Sequence, residues 1–240
     1  MCENHTRKRG LSLIIIVALL LLAVMLMNTG LLFSQTRQQT KQSGIYQLES
    51  VSGRLEATIN DARLLTVEEA AKAGEHLSDR DEMRNFVYSE KNRIVTPDSG
   101  VFNIYVANDE YMIIPDFTVP EDYVLAERVW YTGALKNQGT TYVSSPYQDV
   151  MTGDICYTVS VTLPDGRTVI GVDYTMDNIQ KYIAQMGDNA VNAVIVTDEG
   201  AIAGCSDESL IGEKLTASLP EYAGIYASAK NRDGINNLFE

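Results

Sequence analysis

The segment ERVWYTGAL, Glu127 to Leu135, holds the only tryptophan of the chain, Trp130, between Arg128 and Tyr131. Tyr123 precedes it, Tyr147 follows in SSPYQD, and Asp173 lies further on in VIGVDYT. A guanidinium offers a planar fork of donors suited to a carboxylate. Indole N–H and phenol O–H groups add neutral hydrogen bonds, and a carboxylate such as Asp173 accepts from a cation. These residue types admit two readings. One is an aromatic corner between sheet and helix, with Arg128 paired to Glu127 or Glu121; the other is a pocket for a small charged molecule.

The rest of the catalytic inventory is sparse. His5 and His76 are the only histidines, so histidine-dependent triads and multi-histidine metal sites lack their parts. There is no G-x-S-x-G, no P-loop and no G-x-G-x-x-G. Asp198, Glu199, Asp207, Glu208 and Glu213 lack the spacing of a calcium loop, and a solvated turn followed by a helix start accounts for them. Asp149 and Asp154 flank a turn, where aspartate is common. The expectation is a binding protein rather than an enzyme, with no cofactor and no metal.

The elements that must position these residues begin with an anchor. Residues 11–33 run 23 positions without a charge, roughly 34 Å as a helix and enough to cross a bilayer. Arg7, Lys8 and Arg9 precede them, which places residues 1–10 in the cytoplasm and the remainder outside it. The run is too long for the apolar part of a signal peptide and has no small-residue cleavage site, so an uncleaved helix is expected. Residues 1–10 carry a net +2 and 11–33 none, so the rest of a chain of net −13 carries −15. That charge disfavours nucleic acid and anionic lipid as partners.

Residues 34–95 read as a stalk and flanking helices. Ile45, Leu48, Val51, Leu55, Ile59 and Ala62 recur at spacings of three or four, one apolar stripe along a helix that either packs on a folded domain or pairs with itself in a homodimer. Ser78 and Asp79 are candidate caps for a second helix. From about residue 100 the period changes to two. VFNIYVAN and EYMIIPDF form one hairpin around Asn108 and Asp109, TTYVSSPYQDV a further strand, and ICYTVSVTL with RTVIGVDYT a second hairpin around Pro164-Asp165-Gly166. MDNIQKYIAQM reads as a helix with Ile179, Tyr182 and Ile183 on one face. Helices followed by an antiparallel sheet make an α+β module. A second unit begins near Gly187, with strands on either side of Asp198-Glu199-Gly200 and a short helix in ESLIGEKL; its 187–240 span is thin for an independent core. Cys156 and Cys205 fall in different units and are expected to be unpaired.

YVLAERVWYTGAL, YVSSPYQDVMTGD and TVSVTLPDGRTVIGVDYTMDNI together resemble the membrane-distal lobe of double Cache (dCache) extracellular sensors, the ligand-binding ectodomains of chemoreceptors, histidine kinases and diguanylate cyclases. The resemblance extends over residues 11–240 and implies an α+β fold: a transmembrane helix (11–33), a stalk (34–95), a PAS-like antiparallel-sheet distal lobe (96–186) and an incomplete proximal lobe (187–240). It is closest to the subgroup that binds free amino acids, whose motif is a tyrosine, an arginine five positions on, a tryptophan with an aromatic just after it, and a distant aspartate. Tyr123, Arg128, Trp130, Tyr131 and Asp173 occupy those places. By this resemblance Arg128 and Trp130 take the ligand carboxylate, while Asp173 takes the ammonium with help from the Tyr131 or Tyr123 hydroxyl. Tyr147, and by analogy Ile104, Tyr105, Ser144 and Ser145, line the pocket. In an empty pocket Arg128 and Asp173 are free to pair. Ligand occupancy would shift the stalk helix, with no chemistry on the ligand. The family continues into a second transmembrane helix and a cytoplasmic output, which the 240 residues do not reach. The alternatives are a sensor of another small amine or carboxylate, and a structural or interaction ectodomain with a vestigial pocket.

Overall fold

A computed structural model describes residues 3–185 and 193–230. Helix α1 (Glu3–Ala73) runs unbroken through both the apolar run and the stalk. The chain divides into two compact units, residues 1–49 and essentially all that follows. In the first, the large apolar side chains described between Ile16 and Phe33 are exposed. That arrangement suits lipid rather than water, and the stretch is long and apolar enough to span a bilayer.

The second unit is built on an antiparallel sheet. Helix α2 (Arg80–Ile94) starts at Asp79, whose carboxylate accepts from the backbone N–H groups of Asp81 and Glu82 at 2.8 and 3.1 Å. Strands β1 (Val101–Ala107) and β2 (Met112–Ile113) form the first hairpin. Helix α3 (Val129–Lys136) follows a long connection. The single strand expected over TTYVSSPYQDV is two short ones, β3 (Tyr142–Val143) and β4 (Tyr147–Gln148). Pro146 between them has no N–H to give a ladder. Strands β5 (Ile155–Thr162) and β6 (Val169–Thr175) are the long central hairpin, turning through Gly166 at φ +70°. The sheet order is β2-β1-β6-β5-β3, with β4 also on β5.

Both faces of this sheet are covered, and alternation sorts the side chains. Ile104, Val106, Tyr157, Val159, Ile170, Val172 and Tyr174 join Ala62 of α1 and Met83, Phe86 and Val87 of α2 in one core. Tyr105 and Ala107 point the other way and pack with Trp130, Tyr131 and Ala134 of α3. On that second face β5 and β6 place Thr158, Ser160 and Asp173, all buried. One face is thus an ordinary apolar core, and the other buries polar groups beneath α3.

Helix α4 (Asp177–Gln185) buries Ile179 and Ile183. Beyond it β7 (Val194–Val196) and β8 (Ile202–Cys205) form a two-stranded sheet. The expected boundary at Gly187 lies outside the described residues. ESLIGEKL is not one helix: a 3₁₀ turn at Glu208–Leu210 ends before Gly212 at φ +88°. Short helices α5 (Leu215–Ser218) and α6 (Ala223–Lys230) follow. Ile202, Cys205 and Leu215 make a small core of their own. Gln180 of α4 grips both backbone polar groups of Cys205, which fastens this unit to the main one. Cys156 and Cys205 are both free and buried.

Candidate functional site

Arg128 is the N-cap of α3, with extended backbone at φ −80° and ψ 125°. Its carbonyl accepts from the N–H groups of Tyr131 and Thr132 at 3.1 and 3.0 Å, which fixes the chain direction as the helix starts. The guanidinium carbon lies 5.3 Å from the Tyr123 ring centre and 6.0 Å from that of Tyr147, within cation–π range of both. Its Nε is buried and has no hydrogen-bond partner. A buried guanidinium N–H without an acceptor costs on the order of 1–3 kcal/mol.

Asp173 stands opposite in charge, 3 % exposed in the middle of β6. Its register partners are Asn103 on β1 and Thr158 on β5. The Thr158 hydroxyl donates to Oδ1 at 2.6 Å and the Tyr105 hydroxyl donates to the same oxygen at 2.7 Å. Burial raises the Asp173 pKa to about 7, against the opposing pull of those two hydrogen bonds and the nearby Arg128 charge. The Tyr147 hydroxyl lies 2.7 Å from that of Thr158, and burial with the Asp173 charge drives its pKa far above the phenol range. Tyr123 is raised as well, first by burial, against the Arg128 charge and a hydrogen bond with the Trp130 side chain.

Tyr123, Arg128, Trp130, Tyr147 and Asp173 therefore converge in one electrostatically coupled group. Trp130, 2 % exposed, meets Tyr105 edge-on at 4.8 Å between ring centres. Its backbone carbonyl accepts from Ser160 Oγ at 2.8 Å, which pins α3 to β5. Tyr131 packs edge-on against Trp130, but its hydroxyl reaches the Arg167 carbonyl at 3.4 Å, at the hairpin turn and away from Asp173. Arg128 and Asp173 form no ion pair among the described residues: the guanidinium lies over tyrosine rings and the carboxylate is served by hydroxyls. Ile104 faces the α1–α2 core, because it is one residue out of phase with Tyr105. Ser145 turns outward and donates to Glu199 at 2.8 Å. Ser144 supports the site indirectly, its hydroxyl accepting from the Thr158 N–H at 2.9 Å.

Thr158 is the residue that sequence reasoning missed, and Tyr105 entered only by analogy. One signal pointed to them. Gly171 pairs with Tyr105 across β1 and β6, and a Cβ there would sit 2.6 Å from Tyr105 Cε2. A glycine inside a strand often marks such a close approach, and here it lets the phenol lie along the sheet to Asp173. No cluster of three or more His, Cys, Asp or Glu able to hold a metal occurs among the described residues.

Residues 73–181 match the family described as methyl-accepting chemotaxis protein-like, first PDC sensor domain. Methyl-accepting chemotaxis protein TlpB of Bacillus subtilis is 29 % identical over 168 residues, covering 66 % of this chain and 25 % of TlpB. McpB of the same organism is 31 % identical over 97 residues, 40 % of this chain and 15 % of McpB. The chain thus spans a quarter or less of these curated relatives. Among solved structures, the ligand-binding domain of Mlp24 with asparagine aligns at TM-score 0.61 and 16 % identity, covering 77 % of this chain and 79 % of that one. The ligand-binding domain of the Pseudomonas fluorescens chemoreceptor CtaA in complex with L-serine aligns at TM-score 0.60 and 18 % identity, covering 72 % and 75 %. At such identities the likeness establishes the fold.

Proposed function

We propose, from the match of residues 73–181 to the methyl-accepting chemotaxis protein-like first PDC sensor domain family, that the chain is the extracytoplasmic sensor of a membrane signalling protein that binds a free amino acid. The carrying observation is the unpartnered Nε of Arg128 beside a buried carboxylate whose two hydrogen bonds both end on Oδ1. An α-amino acid supplies the missing partner at each end. Its carboxylate takes the Arg128 fork, and its ammonium takes Asp173 Oδ2 beside the faces of Tyr123 and Tyr147. Two charge-assisted anchors of about 1.5–3 kcal/mol each, with partial burial of the side chain, bring the total near the −8 kcal/mol of micromolar binding. The fold-level likeness to domains solved with L-serine and with asparagine supports the same class. Helix α1 carries the response, since the sheet that holds Asp173 packs against it on the opposite face.

The test is a thermal-shift screen of the whole chain in detergent micelles against the twenty amino acids. At least one raises the melting temperature, because ligand at about 100-fold excess over Kd adds roughly 2.7 kcal/mol to the native state. Arg128→Ala and Asp173→Ala abolish that shift. A simple amine or a simple carboxylate that stabilises as strongly as any amino acid favours the narrower sensor instead. If nothing stabilises the protein, or the shift survives both substitutions, the assignment is wrong.

A further inference from the structure

The side of the sheet away from the ligand pocket has a cavity of its own, lined in part by Tyr157 and Tyr174 of the α1–α2 core. It measures about 350 Å³, within the roughly 300–1,000 Å³ of small-molecule sites. Its other walls include Thr58 and Asp61 of α1, Arg93 of α2, Gly100 before β1, Thr175 of β6 and Asn178 of α4. Local geometry keeps it open. Gly100 has φ +68°, and its carbonyl accepts from the Thr175 N–H at 2.9 Å. A Cβ on Gly100 would lie 2.8 Å from the Asn178 amide nitrogen, so only a glycine leaves that amide its place. The Thr58 hydroxyl lies 2.6 Å from that of Tyr182, which ties α1 to α4 beside the cavity.

The polar groups around this space are not used up internally. Thr175 Oγ1 is buried and has no hydrogen-bond partner. Neither the Asn178 amide nor the exposed Asp61 carboxylate has a partner among the described residues. Arg93 is the one cation lining the cavity among the described residues, and its charge is taken. Its guanidinium donates to Glu69, and its Nε donates to Glu90 Oε2 at 2.5 Å. The cavity is left with one uncompensated carboxylate, Asp61, and two neutral groups that both donate and accept, Thr175 and Asn178.

We propose that this cavity binds a small amine that also carries a hydroxyl, at a second site separate from the amino-acid pocket. The ammonium takes Asp61 in a charge-assisted hydrogen bond, and the hydroxyl takes Thr175 and Asn178. Asp173 and Tyr174 are neighbours on β6 and face opposite sides of it. An occupant therefore bridges α1, β6 and α4 on the reverse of the strand that carries the pocket carboxylate, and gives the stalk helix a second input.

The test uses the whole chain in detergent micelles with Asp173→Asn as background, which removes the carboxylate of the amino-acid pocket. The probes are ethanolamine and diethanolamine, with diethylene glycol as the uncharged isostere of the second. Titration calorimetry at neutral pH and millimolar probe should show saturable binding of at least one amine and none of the glycol. Asp61→Asn should weaken that binding about tenfold and Thr175→Val about fivefold, the loss of one charged and one neutral hydrogen bond. Asp61 is exposed, so its variant keeps the fold. Hydrogen exchange with the amine bound should slow in α1 around residues 58–65 and at the start of α4, and stay unchanged in α3. No saturable binding means that water alone fills the cavity, and overturns the proposal. Equal binding of the glycol, an affinity indifferent to Asp61→Asn, or protection that appears at α3 instead overturns it as well. Failure of the amino-acid screen leaves this result untouched, because the background variant has already lost that pocket's carboxylate.

Discussion

In the proposed binding mode Asp173 makes ligand affinity a function of pH, and the sign follows from its surroundings. Burial lifts its pKa from 3.8 to about 7 in the folded, ligand-free protein. The folded state therefore holds more protons than the unfolded state between those values, and stability falls as pH rises through that window. At about 1.4 kcal/mol per unit the full effect is on the order of 4 kcal/mol, complete by about pH 8. An ammonium needs the ionised form. Its apparent Kd accordingly rises about tenfold at pH 6 and about a hundredfold at pH 5, and changes little above pH 8. Calorimetry with the best amino acid from the screen, run in two buffers of different ionisation enthalpy, reads the proton directly. About 0.9 proton is released per ligand at pH 6 and about 0.1 at pH 8. An affinity that varies less than threefold between pH 5 and 8, or a heat independent of the buffer, refutes the reasoning.

Three substitutions probe the parts of this arrangement. Thr158→Val removes one of the two donors to Asp173 Oδ1, so the carboxyl pKa should climb further and the midpoint of the binding pH profile should move alkaline by about one unit; an unmoved midpoint would show that Thr158 does not tune the carboxylate. Gly171→Ala drives a methyl to within 2.6 Å of the Tyr105 ring; overpacking should cost about 1–3 kcal/mol in chemical denaturation and displace the phenol from Asp173, whereas an unchanged midpoint would mean that the ring has room to move. Arg128→Lys keeps the charge and loses the fork; titration calorimetry should show affinity falling roughly 10–100-fold, the loss of about 1.4–2.8 kcal/mol, and equal affinity would argue for a point-charge contact.

Much of the scaffold was legible because single residues decide it. Asp79 caps α2, Gly166 turns the central hairpin, and the uncharged run from 11 to 33 has few structural uses. Helix α3 was not legible: Val129, Trp130, Tyr131 and Thr132 are β-branched or aromatic and read locally as strand, and tertiary packing of Trp130 beneath the Arg128 cap overrides that preference. The pairing open to Arg128 and Asp173 in an empty pocket is not made, for a related reason. Sequence gives each charge an opposite in the same pocket, but not the tyrosine faces and the Thr158 and Tyr105 hydroxyls that serve each one separately. What the sequence did carry, unread, was the alternation in TVSV and IGVD. Apolar Val159, Val161, Ile170 and Val172 face α1 and α2, and Thr158, Ser160, Gly171 and Asp173 face α3. A central strand pair covered on both faces has no solvent to justify polar side chains on one of them. That pattern demands internal partners for the buried polar groups on the α3 face, and Arg128 Nε, among the buried side-chain atoms still without one, is where the proposed ligand would supply it.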